Sequence, residues 1–253
     1  MTVTSSTTSS RRTEPPRAVP VTPGRGTLGG FAGAIASEWT KLFSVRAPYL
    51  CLLAGLAITV VFTYYYASIA RINEHAIQPV GNAAASSAAL VQFAVVVLAT
   101  VAVTSEYSTG SVRASLLSMP RRHHVQAAKA LVAAVVAFVA GATFAVVGTA
   151  VAWPAFGGRA SFEVGPSLLQ VLAVGLYQAL VAVLTVGVAF ATRHPAGALS
   201  ILVTLLWALP SVLLGLGGPT LADLNDHLPQ GSGDHFMRLG ADPEQRPTAA
   251  RTN

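Results

Sequence analysis

VQAAKALVAAVVAFVAGATFAVVGTAVAW, residues 125–153, decides the fold. A helix rises about 1.5 Å per residue, so about 20 apolar residues cross a hydrocarbon layer about 30 Å thick. This stretch exceeds that length with one charge, Lys129, in its first turn, where a long stem carries the ammonium to headgroup depth. A water-facing helix of this length would carry a polar face, and this one has none. Four more runs, 48–68, 83–104, 166–192 and 197–217, also reach the spanning length and hold no charged residue. Barrel strands would alternate polar and apolar over about 10 residues, a pattern absent here. The expected fold is an all-α polytopic membrane bundle of five transmembrane helices with an N-terminal interfacial amphipathic helix.

The 53% hydrophobic and 10% charged composition excludes an ordinary soluble domain. The net charge of +6 would suit nucleic acid if it lay on one face, but the basic residues are spread over several loops, so no nucleic-acid partner is expected. Their distribution instead gives orientation. Lys41, Arg46, Arg113, Arg121, Arg122, Lys129 and Arg193 fall on one side, against Arg71 and Arg159 on the other. The positive-inside rule places the amino terminus and the polar loop after the second span in the cytoplasm, and the carboxyl terminus outside a cell membrane.

Residues 1–28 are rich in Ser, Thr, Pro, Gly and Arg and read as a disordered cytoplasmic tail without the apolar core of a signal peptide. Residues 29–47 change character: Phe31, Ile35, Trp39, Leu42 and Phe43 recur at helical spacing, with Ser37, Glu38 and Lys41 on the other flank. That is an amphipathic helix, lying in the membrane interface or packed against the spans. Pro48 marks the turn into the transmembrane region, 48–217, and a polar segment, 218–253, follows it.

Small residues at every fourth position of the third span, Ala133, Ala137, Gly141, Ala145 and Thr149, would let helix backbones approach closely. Gly175, Ala179, Gly187 and Ala191 repeat the idea less strictly in the fourth. Gln92, Tyr177, Gln178 and Pro210 are unusual at membrane depth. The first three either hydrogen-bond between helices or face a translocation path, and Pro210 is a candidate for bending the fifth helix.

The motifs of several chemistries are missing. A phosphate-binding loop needs glycines before a Lys and a hydroxyl after it, whereas the two lysines read Lys41-Leu42 and Lys129-Ala130 with no glycine immediately before either. HExxH, CxxC and GxSxG are not present, and the single Cys51 has no intrachain partner. Adjacent His123 and His124 point to different helix faces rather than to one metal. The expectation is a protein that is not itself an enzyme and carries no cofactor or metal.

The polar loop reads SEYSTGSVRASLLSMPRR, residues 105–122: Glu106 and Arg113 bracket a turn at 108–110, two helical turns fit 111–118, and paired arginines meet the headgroups. Together with SEWTKLFSVRAPY (37–49), this loop resembles the ABC-2 type permease family, especially its small actinobacterial members. The resemblance covers about residues 31–237 and implies a permease with six spans, paired with an identical or different permease and driven by separate ATP-binding cassette subunits. It implies that residues 31–46 are the connecting helix and that Glu106, Tyr107, Gly110, Arg113, Leu116 and Leu117 contact the ATPase. Gln92, Tyr177 and Gln178 would be the candidates for the translocation path. One departure is plain: residues 218–253 are polar, Pro-containing and charged where the family carries a sixth span, so the expectation is five spans with the carboxyl terminus outside, an abnormal end to the reading frame, or a helix supplied by a partner. The functional expectation is the permease subunit of an ATP-driven exporter in contact with membrane lipid, the alternative a non-transporting membrane adaptor or assembly subunit.

Overall fold

The computed structural model describes residues 27–109 and 122–238. Eight helices fill those segments: α1 (Thr27–Ser44), α2 (Ala47–Ile72), α3 (Gly81–Thr109), α4 (Arg122–Ala155), α5 (Val164–Thr192), α6 (Pro195–Leu216), α7 (Pro219–Asp226) and α8 (Pro229–Met237). Five of them, α2 to α6, are long and apolar enough to cross a membrane, and the chain is an all-α multi-pass bundle. The helices outrun the apolar runs at several ends; α3 continues a turn past Thr104.

Hydrocarbon offers no hydrogen bonds, so polar groups must find partners inside the chain. Several threonines do so locally, though the buried Thr100 hydroxyl has no partner among the described residues. Thr59, Thr63, Thr104 and Thr185 each return the hydroxyl to the carbonyl one turn back, Gly55, Thr59, Thr100 and Val181, at 2.7–2.9 Å.

Helices α3, α4 and α5 form the centre, while α2 and α6 lie outside with only 22% of their apolar windows buried. The most extensive helix contact joins α4 to α5. A Cβ on Gly141 would lie 2.8 Å from Gln178 Cγ and 3.2 Å from Gly175 Cα, and one on Gly175 would lie 3.0 Å from the Phe138 carbonyl. Ala133, Ala137 and Ala145 are buried along the same face, so the small-residue stripe is a packing seam. The stripe on α5 is only half used: Gly175 and Ala179 are buried, whereas Gly187 and Ala191 face outward with open space beside Gly187. Gly148 makes a second close contact, against Thr59 and Thr63 of α2 and Ala84 of α3.

Pro210 is answered by a π-turn. Over Thr204–Ala208 the ladder of α6 widens, and the Leu209 amide donates to the Thr204 carbonyl five residues back. A proline lacks an amide and crowds the preceding turn, and the wider turn accommodates both effects.

The loops after α2 and α4 lie at the same end. They meet in a two-residue parallel ladder, Gln78 beside Ala160 and Pro79 beside Ser161, and the Val80 amide donates to the Ser161 carbonyl at 3.0 Å. Below it, Ala67, Ala70, Val80, Ala83, Ala152 and Phe156 close a core.

The polar segment after α6, to which the sequence assigned no secondary structure, is helical over residues 219–237: these form α7 and α8, and α8 folds back against α3, α5 and α6. Met237 is 2% exposed within the cluster of Val96, Tyr177, Leu202 and Leu206. The sequence hides this because one glycine and one methionine a helical turn apart, Gly233 and Met237, are enough to fit α8 against the bundle.

Gly175→Leu drives a side chain into the Phe138 backbone and is expected to cost about 1–3 kcal/mol. Gly187→Ala, into open space, should be neutral; thermal unfolding in detergent compares them.

Candidate functional site

Two groups of polar side chains stand out against the apolar bundle. The first lies between α3 and α5. The Tyr177 hydroxyl donates to Gln92 Oε1 at 2.6 Å, and Gln92 Nε2 donates to the Ala89 carbonyl at 2.8 Å. Gln178 Nε2 donates to the Ala88 carbonyl at 3.3 Å, and Gln170 Nε2 to Asn82 Oδ1 at 3.0 Å. Gln92 and Gln178 are fully buried and Tyr177 is 4% exposed. The structure thus brings Gln92, Tyr177 and Gln178 together as bonds between helices.

Gly141 explains how Gln178 fits: without a Cβ, α4 leaves room for that side chain to reach α3. The small-residue seam and the polar residues are one device. Gln170 Oε1 and Gln178 Oε1 find no partner among the described residues.

Helix α8 covers this group. A Cβ on Gly233 would collide with the Tyr177 ring. Arg238 Nε donates to both carboxylate oxygens of Asp234, at 2.8 and 2.9 Å, and its Nη2 donates to Ser86 Oγ of α3 at 3.1 Å. Asp226 and His235 Nε2, 3.1 Å apart, join α7 to α8.

The second group lies at the opposite end, where α1 crosses α4. Glu38 was expected on the polar flank of α1. It is instead 6% exposed, on the stripe Ala34, Glu38 and Leu42 that faces the bundle. Its Oε2 is in direct ionic contact with Lys129 Nζ, and its Oε1 accepts from Lys41 Nζ at 2.8 Å. Lys129 also donates to the Ala102 carbonyl of α3 at 3.1 Å and is 4% exposed, so it does not extend to the headgroups as its position in the run suggested. Burial pushes the Glu38 carboxyl upward, but hydrogen bonds and charge from Lys129 and Lys41 outweigh this and hold it below the ordinary carboxylate range. The only sequence trace of the pair is one acid and one base at the edges of apolar stretches, far apart in the chain.

Around the pair, Leu42 packs with Leu98, Val132 and Val136, with Ile35 and Phe43 half-buried beside them. Phe31 is half-buried too, while Trp39 turns outward and meets Phe43 at 5.0 Å in a tilted ring contact. Of the residues expected to meet an ATPase, Glu106 and Tyr107 fall in the backbone of the last turn of α3. Gly110, Arg113, Leu116 and Leu117 lie outside the described residues. No group of three or more metal-binding side chains occurs among the described residues.

No protein-family model, curated protein or solved structure matches the chain. The class that the fold defines is therefore a multi-pass helical membrane protein.

Removing one partner from a buried pair costs about 3–5 kcal/mol. Glu38→Ala is expected to reach that range, and a Glu38→Met, Lys129→Met double variant to lose less than either single replacement. Because the folded carboxyl binds its proton less readily than the unfolded one, stability from Glu38 is full above the ordinary carboxylate pKa and falls as pH drops through the lowered value. Glu38→Gln should flatten that acid limb in thermal scans. Tyr177→Phe should cost only about 0.6–1.7 kcal/mol, as hydrogen bonds between membrane helices do.

Proposed function

We propose that the chain is the membrane-spanning permease subunit of an ATP-driven exporter of the ABC-2 type. It would work in the cell membrane with a separate ATP-binding cassette subunit and a second permease, identical or related. The loop motif SEYSTGSVR and the preceding SEWTKLFSVRAPY motif suggest the family. The single structural observation that carries the reading is the Glu38–Lys129 contact.

That contact fastens α1 to α4, the helix that begins directly after residues 110–121, and Lys129 ties both to α3, the helix that ends directly before them. A displacement imposed on the loop by a soluble subunit would then reach α1, α3 and α4 together. A flexible contact would dissipate the push, whereas a buried ion pair resists separation because either charge alone in an apolar setting is costly. ATP closure in the partner would press on 105–122 and tilt the spans.

The non-transporting adaptor remains a second reading, favoured by a specific observation: Gln92, Tyr177 and Gln178 are occupied with one another and with backbone carbonyls, and α8 lies over them.

Affinity capture of the tagged chain from its native membrane should recover a P-loop ATPase that lacks spans. The Glu106→Ala, Arg113→Ala double variant should lose that ATPase while its own abundance is unchanged. Equal recovery with the variant would remove the coupling role. Recovery without stimulation of ATP hydrolysis in reconstituted vesicles would favour the adaptor.

A further inference from the structure

A groove of about 460 Å³ runs between α1, α2 and α4, walled by Phe43, Leu52, Leu56, Val139 and Phe144 with Trp39 at its rim. It exists because α1 leans on α4 and hardly touches α2, leaving a wedge where the interfacial helix departs from the second element. The volume lies within the roughly 300–1,000 Å³ of small-ligand sites. A protein helix about 10 Å across would fill it in about one turn, so it is too small for a packed helix and suits one extended hydrocarbon chain.

The rim is built for an interface. Trp39 and Tyr49 are 46% and 54% exposed, and the Tyr49 hydroxyl donates to the Phe43 carbonyl at 3.2 Å, fixing the aromatic wall. Phe43 packs against both rings, tilted to Trp39 at 5.0 Å and edge-on to Tyr49 at 5.9 Å. Aromatic rings of this kind settle at headgroup depth. The cations at this end differ in their partners: Lys41 and Lys129 both contact Glu38, whereas Arg46 has no carboxylate within ion-pair distance among the described residues. Arg46 is exposed one turn before Tyr49, at the corner from which α2 enters the apolar region.

We propose that the groove between α1, α2 and α4 holds an acyl chain of one anionic phospholipid of the bilayer, with its phosphate at Arg46. Hydrocarbon bathes the groove in any case; the aromatic wall and the unbalanced cation select one lipid and hold it. The bound chain fills the wedge between α1 and α2, restoring the dispersion contacts that the gap forfeits. This inference is independent of the transport reading.

Native mass spectrometry of the full chain, stripped of lipid and offered phosphatidylglycerol or phosphatidylcholine with identical acyl chains, tests it. One phosphatidylglycerol should stay per chain, favoured by about fivefold, the effect of one basic residue near an anionic headgroup. Val139 and Leu53 are 57% and 63% exposed on the groove walls, so Val139→Trp and Leu53→Trp fill the space from outside the packed bundle. Each should abolish retention with an unchanged melting temperature. Arg46→Gln, which alters no packing, should erase the preference between the two lipids while phosphatidylcholine binding stays the same. Equal retention of both lipids by the unaltered protein, or undiminished phosphatidylglycerol in both tryptophan variants, would overturn the proposal. Conversion of a dimer to a monomer by the tryptophan variants, with lipid unchanged, would assign the groove to a second copy and equally overturn it.

Discussion

A polar group in the spans has to look for its partner within the chain, because hydrocarbon offers none, and among the described spans only Thr100 Oγ1, Gln170 Oε1 and Gln178 Oε1 are buried without one. That constraint makes the spans helical and sends threonine hydroxyls back to carbonyls one turn earlier. It also decides which polar side chains survive at depth. Gln92, Tyr177 and Gln178 are tolerated because each reaches a partner across the α3–α5 boundary or along its own helix. Lys129 is tolerated because a carboxylate comes to it from a helix outside the spans.

Helix association needs a separate cause, since lipid tails are as apolar as the side chains. Close backbone approach supplies it. At Gly141 and Gly175 the helices come near enough for main-chain dispersion contacts, and the same missing side chain lets Gln178 pass between α4 and α3. Packing and polar pairing therefore reinforce one another at a single level of the bundle, where α8 also meets Tyr177 through Gly233.

The five spans and the amphipathic helix were legible from run length and spacing, because those patterns depend only on neighbours along the chain. The stripe at Ala133, Ala137, Gly141 and Ala145 was legible for the same reason. Glu38 was not: helical spacing placed it beside Ser37 and Lys41, and its burial depends on Lys129, which sequence alone does not bring near. Gly187 looked like Gly175 in the sequence, yet faces outward, with nothing among the described residues within contact of a Cβ there. Helix α8 was missed since its composition is polar and only Gly233 and Met237 carry the fit.

The short ladder joining Gln78–Pro79 to Ala160–Ser161 has a mechanical consequence. It straps the α2–α3 hairpin to the α4–α5 hairpin at one end, and the Arg159 guanidinium reaching the His75 carbonyl at 3.4 Å adds a second thread. The two hairpins are thus tied at both ends: by this strap at one, and about 40 Å away for helices of this length by the Lys129 ammonium that joins α4 to the Ala102 carbonyl of α3 at the other. Sliding one hairpin along the other would have to break both ties, so relative motion is left to tilting of the pair as a unit.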